Sequence, residues 1–302
     1  MEREVEARAL AAARAVAAEH GVACDGAEVL SAGSNVLVHL RPSPVVARVM
    51  TGTVVLHDDP ERWLRREVGV TEFLAPTGLA VRPSPLIASG PFERDGLWMT
   101  FTEFVEGGSI GFEVSGEDGS WSPGGDGRSG EAVAVPAGDG AEWLGRALRE
   151  LHEALAPYDG DLAGFADLHD DIERLRLALR PSPELSAERI DSLGERLATL
   201  RQSVFATSLP VQALHGDASV GNLLRTSGGL IWNDFEDTFL GPVHWDVTGY
   251  LMSLKWLRVD EDFVDRTLDA YGGLDREELA LFRAAHELYD EIWSAYDAQR
   301  RG

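Results

Sequence analysis

The segment LHGDASVGNLLRTSGGLIWNDFEDTFLGPVHWD, residues 214–246, decides how this chain is read. Leu223–Arg225 and Leu230–Trp232 are short apolar runs separated by Thr226-Ser227-Gly228-Gly229, a spacing that predicts a β-hairpin with turn residues at its centre. With Gly228 as midpoint, residue i faces residue 456 − i, and Asn222 faces Asp234. Opposed residues of an antiparallel pair lie roughly 4.5–5.5 Å apart between Cα atoms, so both side chains can reach one cation. An amide oxygen and a carboxylate suit Mg²⁺, a hard cation that completes its shell with phosphates and water. Asp217 lies on the same loop, beside but outside that pair, where a carboxylate can accept a proton from an attacking hydroxyl. Gly216 and Gly221 give the loop backbone the freedom it needs. Each residue alone has an ordinary reading: Asp217 as a turn cap, Asn222 in a left-handed position, Asp234 at a strand end. The three together at these spacings favour the cation-and-base reading over the ordinary one.

Outward from the hairpin, residues 141–155, 168–179 and 186–205 carry apolar residues at helical spacing, as do 244–258, 260–271 and 275–299. This predicts a large helical lobe around a small β insert. The first 105 residues read differently. An Ala-rich helix over 3–19 ends at Gly21, and Val36–Leu40 with Val45–Val49 form a hairpin fed by a loop at Ser31–Asn35. A helix over 59–75 opens on Pro60, and a second strand pair covers Leu86–Phe92 and Leu97–Phe104. The expectation is therefore α+β: residues 1–105 as one lobe including the linker between lobes, and 106–302 as the other. Residues 107–140 are rich in Gly, Ser and acid and read as a flexible insertion, either a lid or a disordered loop. Their formal GxGxxG at Gly125, Gly127 and Gly130 has no strand before it and no helix after it, so it is read as chance.

HGDASVGN followed after a hairpin by NDFED resembles the catalytic segment of the aminoglycoside phosphotransferase family, small-molecule kinases with a bilobal protein-kinase-like fold. The pattern runs through His215–Asn222, Asp234-Phe235-Glu236, and Asp246 after Gly241-Pro242. By this resemblance Asp217 is the catalytic base and Asn222 and Asp234 the metal ligands, while His215 and Asp246 brace the loop. The resemblance extends into the first lobe. Gly33, Ser34 and Asn35 match the short nucleotide-covering loop, whose N–H groups meet phosphates. Arg48 stands where kinases of this fold usually carry a phosphate-contacting Lys; Arg keeps the charge but is bulkier and forked. Glu67 is its natural ion-pair partner, with a surface role as the alternative. Glu103, Phe104 and Val105 match the linker whose backbone hydrogen-bonds a purine edge.

The implied cofactors are Mg²⁺ and ATP or GTP as donor; the implied partner is a small-molecule hydroxyl acceptor. Lys plus Arg number 27 and Asp plus Glu 51, a net charge of −24. That balance excludes a nucleic-acid partner, since no counterion-releasing basic surface exists overall. It suits a cationic acceptor, or serves solubility alone. Candidate counter-charges are Glu236 and Asp237 after the hairpin, and Glu287, Asp290 and Glu291 beside Trp293, Tyr289 and Tyr296 near the C-terminus. A solvated acidic face is the competing reading. Asp167, Asp170 and Asp171 form a second acidic cluster with the same two readings. The leading expectation is inactivation of an antibiotic by O-phosphorylation: an aminoglycoside first, a nucleoside or peptide antibiotic as well. The alternative is a metabolic kinase for a sugar, amino alcohol or amino acid. A nucleotide-binding module without catalysis is disfavoured, because it has no need of a base at Asp217. The single cysteine, Cys24, excludes an intrachain disulfide and a paired-thiolate zinc site. No signal-peptide core and no run of ~20 apolar residues is present, so a cytoplasmic protein without a membrane partner is expected.

Overall fold

Val45–Met50 organises the first lobe, because its alternation gives one face to the core and the other to a cleft. This strand is β3 in a computed structural model that describes residues 2–52, 59–111, 133–134 and 139–301. Val45, Ala47 and Val49 join the buried cluster under α1 (Glu2–Glu19), while Val46 and Arg48 face the cleft. The antiparallel sheet also contains β1 (Glu28–Ala32), β2 (Asn35–His39), β4 (Phe92–Arg94) and β5 (Leu97–Glu103), in the order β1-β2-β3-β5-β4. Ala9, Ala12, Ala13 and Ala17 are buried, and their small side chains let α1 lie close to the sheet.

Two expectations change here. Ser31 and Ala32 pair with Leu37 and Val36, so the strand continues where a loop was expected and the turn is left to Gly33 and Ser34. Residues 86–91 form no strand. Pro83, Pro85 and Pro91 remove N–H donors from that stretch, and pairing starts only at Phe92. Helix α2 (Pro60–Leu74) opens as its sequence predicts, with the Asp59 carboxylate accepting from the Arg62 N–H at 3.0 Å. Its buried face carries Leu64, Glu67, Val70, Thr71 and Leu74.

The second lobe packs α3 (Gly140–Leu155) against α7 (Glu261–Tyr271), where Gly145 is obligatory: a Cβ would stand 2.2 Å from the Thr267 carbonyl. Helices α4 (Phe165–Ala178), α5 (Ala187–Leu200), α6 (His244–Ser253) and α8 (Arg276–Arg301) enclose a second cluster around Phe165, Trp245 and Phe282. A π-type turn over Arg201–Phe205 completes the stretch predicted as one helix to 205. Strands β6 (Gly108–Gly111) and β7 (Val133–Ala134) precede α3 in the chain. Strands β8 (Ala163–Gly164), β9 (Gln212–Ala213) and β12 (Phe239–Gly241) make a three-stranded sheet beside the predicted hairpin, which is β10 (Leu223–Thr226) and β11 (Gly229–Trp232). The Gly-rich tract enters this region as a strand, β6, pairing with β10 through Ser109 and Leu224. Most of the tract, including Gly125, Gly127 and Gly130, lies outside the described residues. Among the described residues no helix is long and apolar enough to cross a membrane.

Candidate active site

The hairpin register differs from expectation by one residue. Leu223 pairs with Trp232 and Thr226 with Gly229, so the two-residue loop is Ser227-Gly228 and the pivot falls between them. Gly229, at φ +129, supplies the unusual backbone angle. Asn222 therefore opposes Asn233: its carbonyl accepts from the Asn233 N–H at 3.0 Å and from the Asn233 side chain at 2.9 Å. Asp234 stands one residue further on, at φ +68, a left-handed conformation that a non-glycine residue adopts at a cost.

The Asn222 amide donates to both the Asp217 carbonyl (2.8 Å) and Asp217 Oδ2 (3.0 Å). The backbone entering this loop, at His215 and Gly216, is held by Asp246. This carboxylate is 1% exposed and accepts from the His215 N–H (2.8 Å), the Gly216 N–H (3.0 Å) and His152 Nε2 (3.0 Å). Burial pushes the Asp246 pKa up, but the His152 hydrogen bond and the neighbouring His152 and His215 rings outweigh it, and the group lies below its usual range. His215 is fully buried; its Nε2 meets the Asn233 carbonyl at 2.9 Å, and desolvation lowers its pKa. Gly216 is required by contact as well as by its φ of +88, since a Cβ would stand 1.8 Å from the Asp237 carbonyl. Asp217 opens onto the cleft, but its carboxylate is crowded by the walls and by other acids. Desolvation first, then the Asp234 charge, push its pKa up to about 7.

Arg48 occupies the centre of a buried ionic cluster. Its guanidinium reaches Glu67 at 3.1 Å, Asp234 Oδ1 at 3.1 Å, and Glu236. Burial disfavours its charge, but Asp234, Glu236 and Glu67 outweigh that and hold it protonated well above the ordinary range. Glu67, likewise buried, is pushed up to about 7 by desolvation despite Arg48. Glu236 is 6% exposed and also accepts from the Asn35 amide at 3.1 Å. It faces the first lobe, not an acceptor, which corrects its expected role. A cavity of about 150 Å³ adjoins this cluster, lined by Leu37, Val46, Arg48, Glu67, Thr71, Val81, the linker residues Thr102–Val105, and Asp234-Phe235. The Glu103 and Phe104 N–H groups are spent on Arg82 and Pro44, at 2.9 Å each, which leaves the Val105 N–H for a ligand. In the covering loop, the Gly33 N–H donates to the Asn35 carbonyl at 3.1 Å and the Asn35 side chain is locked to Glu236.

A second cavity, about 50 Å³, lies beside Asp217 and is lined by Trp63, Asp171, Asp237, Phe239, Trp245 and Tyr289 among others. Asp171 is pushed up to about 6, chiefly by burial, and Asp237 lies well above its usual range for the same reason, aided by Glu236 and Asp217. The other expected acceptor residues fall elsewhere. Glu291 pairs with Arg189 and Arg196 on α5. Glu287 pairs with Arg283 at 3.0 Å and, with Asp290, lines a separate groove between α6, α7 and α8. Trp293 packs on the apolar cluster of its lobe. The C-terminal stripe thus divides around its helix, and only Tyr289 reaches Asp217.

The sequence profile of the phosphotransferase enzyme family, APH, matches residues 27–282. The chain belongs to this family. Its fold recurs in solved structures. Amicoumacin kinase hAmiN, in complex with AMP-PNP, Ca²⁺ and Ami, is 16% identical with a TM-score of 0.69 over 99% of this chain and 89% of that one. Choline kinase LicA from Streptococcus pneumoniae is 12% identical, TM-score 0.62, over 96% and 91%. The GDP and kanamycin complex of APH(2")-IIia is 16% identical, TM-score 0.62, over 97% and 99%. At these identities the likeness carries the protein-kinase-like fold. Membership of the family makes the chain a phosphotransferase acting on hydroxyl groups.

Several residues around this phosphotransferase site escape a reading of the sequence. His152, on α3, ties Asp246 to the Tyr271 hydroxyl at 2.9 Å, yet reads as one polar residue within an apolar helix face. Trp63 reads as core. Asp171 and Tyr289 are visible in sequence only as members of larger acidic and aromatic clusters.

Proposed function

We propose that this phosphotransferase moves the γ-phosphoryl group of magnesium-bound ATP or GTP to a hydroxyl of a small cationic antibiotic in the cytoplasm, and so inactivates it. An aminoglycoside is the first candidate; a nucleoside or peptide antibiotic is next. One observation carries the reading: the two cavities meet at a carboxylate pair. Asp234 lines one, Asp217 lines the other, and they are near enough for the Asp234 charge to raise the Asp217 pKa.

Among the described residues no group of three or more His, Cys, Asp or Glu can hold a metal by itself. The donor set is instead the Asn222 side-chain oxygen Oδ1, whose amide nitrogen is spent on Asp217, and the Asp234 carboxylate. Two oxygen ligands with the remainder left to phosphates is the pattern Mg²⁺ favours, so the residues fit. Asn222 and Asp234 would hold the Mg²⁺, which would supply charge neutralisation to the transferring phosphates. Asn222 orients Asp217 through Oδ2, which leaves Oδ1 to take the proton of the acceptor hydroxyl. A base with a pKa near 7 is matched to that task at neutral pH. Arg48, held by Glu67 and Glu236, supplies cationic charge to the donor phosphates, and Val105 offers its N–H to the base edge.

The second reading, a metabolic kinase for a sugar, amino alcohol or amino acid, draws support from cavity size. The space beside Asp217 is the smaller of the two, about 50 Å³ against about 150 Å³ for the nucleotide side, which favours a compact acceptor such as an amino-alcohol head. The test is a panel of antibiotics and metabolic hydroxyl compounds with Mg-ATP and Mg-GTP, read by mass gain of one phosphoryl group. Turnover of antibiotics alone supports the first reading, and turnover of metabolic alcohols alone the second. Silence across the panel, with nucleotide binding intact, would remove both.

A further inference from the structure

Helix α2 belongs to the nucleotide-binding lobe, yet it lines both cavities. Glu67 and Thr71 face the nucleotide cavity and Trp63 faces the cavity beside Asp217. The three residues are spaced four apart, so they share one helical stripe. The helix is seated on the second lobe at several points. Arg62 forms a forked ion pair with Asp161, at 2.9 and 3.0 Å. Gly69 lies over the Tyr158 hydroxyl, where a Cβ would stand at 2.8 Å, and Phe73 meets the Tyr158 ring edge-on at 5.1 Å.

The cavity that Trp63 helps to close is acidic. Asp171, Asp217 and Asp237 line it and no basic side chain among the described residues does, although Arg174 pairs with Asp171 at 3.1 Å from outside the lining. Its other walls are aromatic, from Trp63, Phe239, Trp245 and Tyr289, and aliphatic, from Leu168, Ile172 and Leu175. Carboxylates set among aromatic faces suit a compact, desolvated cation. The indole already attracts one: the Arg66 guanidinium lies 5.5 Å from the Trp63 ring centroid, outside the cavity lining.

We propose that Trp63 is an acceptor-site residue, contributed across the cleft by the nucleotide-binding lobe, and that it receives an ammonium group of the acceptor against its indole. The inference rests on the reading of Asp217 as the phosphoryl-transfer base, since that is what makes this cavity the acceptor's. It names a residue that selects by charge and shape, and it places the selecting wall one helical turn from the Glu67–Arg48 pair.

Two small probes test this whatever the acceptor is. Tetramethylammonium, and tert-butanol as an uncharged probe of similar shape, are titrated against the full-length protein by saturation-transfer NMR. The same titrations are repeated on Trp63→Leu, which keeps apolar bulk without a π face, and on Trp63→Phe, which keeps a face. Thermal unfolding of each variant establishes that it is folded. The expected result is binding of tetramethylammonium over tert-butanol, weakened about fivefold to thirtyfold by Leu and largely restored by Phe. Equal binding of the two probes, no binding of tetramethylammonium to the wild type, or equal affinity in the Leu variant overturns the proposal. Phosphorylated product in the acceptor panel alongside any of those outcomes sinks this inference and spares the functional reading. Trp63-dependent ammonium binding with a silent panel does the reverse.

Discussion

Replacing Asp246 by Asn tests whether one buried carboxylate builds the loop that carries Asp217. Oδ2 of Asp246 accepts from the His215 N–H and His152, and Oδ1 accepts from the Gly216 N–H. Asn keeps a single carbonyl oxygen, so its amide must meet the Gly216 N–H, donor against donor, if the Oδ2 contacts are kept. A hydrogen bond to a charged group is worth about 1.5–3 kcal/mol, and the two that remain lose their charge assistance, so the loss is about 3 kcal/mol. At about 2.1 cal/mol/K of unfolding entropy per residue, 302 residues give about 0.6 kcal/mol/K, and the midpoint should fall by about 5 °C. The sign with pH follows from the direction of the Asp246 shift. A carboxyl held below its unfolded value stabilises fully above that value and loses its contribution as pH falls through the folded pKa. The wild-type advantage over Asp246→Asn should therefore be constant from pH 5 to 8 and shrink below about pH 4. Displacement of Gly216 also moves Asp217, and kcat should drop tenfold to a hundredfold, because about 1 Å of misplacement costs on that order. Calorimetry across that pH range and steady-state kinetics with an acceptor from the panel are the assays. A midpoint within 1 °C of wild type at pH 7, or an unchanged kcat, refutes the bracing argument.

Asp217→Asn should lose about 10²–10⁴-fold in phosphotransfer. Its unfolding midpoint at pH 7 should nonetheless be no lower than wild type, since a carboxyl with a raised pKa costs stability when ionised. In the wild type, kcat/KM should climb about tenfold per pH unit below about 7 and then level, as the base loses its proton; a flat profile removes Asp217 from that role. Asp234→Asn should weaken nucleotide affinity at least tenfold with Mg²⁺ present and much less with EDTA, measured by calorimetric titration. Arg48→Lys should raise the nucleotide KM about tenfold, and adding Glu236→Gln should recover part of the loss; no recovery would separate the two residues.

The segment around the hairpin was legible because its pattern is local in sequence: Asp217, Asn222 and Asp234 lie within eighteen positions, divided by a turn that Gly and Ser announce. Helix α2 was legible for a similar reason, with Asp59 and Pro60 marking its start. What escaped depends on contacts between distant segments. The register slipped by one because Thr226-Ser227-Gly228-Gly229 admits two centres, and only the pairing of Thr226 with Gly229 chooses between them. The walls of the cavity beside Asp217 come from α2, α4, the loop after β11, β12, α6 and α8, and no periodicity within one helix reveals which of its acids face it. Glu291 and Asp171 look alike in sequence. One is paired with two arginines of α5, while the other is half-buried in the wall of that cavity and paired with Arg174 of its own helix.

Arg48 illustrates how composition and geometry answer different questions. Lys plus Arg number 27, and Lys255 is the one lysine, so an arginine at any cationic position is what this composition supplies. Geometry adds the constraint. One guanidinium nitrogen meets Glu67, while the other meets Asp234 and Glu236, so one rigid fork spans carboxylates from α2 and from the loop after β11. A lysine offers a single compact ammonium and cannot reach both sides in the same way. Removing either partner would leave an uncompensated buried charge, a larger loss than an exposed pair could cause. Glu236 in turn holds Asn35, so the fork ties the turn before β2, the central strand, α2 and the segment after β11 into one electrostatic unit. Were Asp234 to hold a cation, Glu67 and Glu236 would remain as the carboxylates on the Arg48 guanidinium.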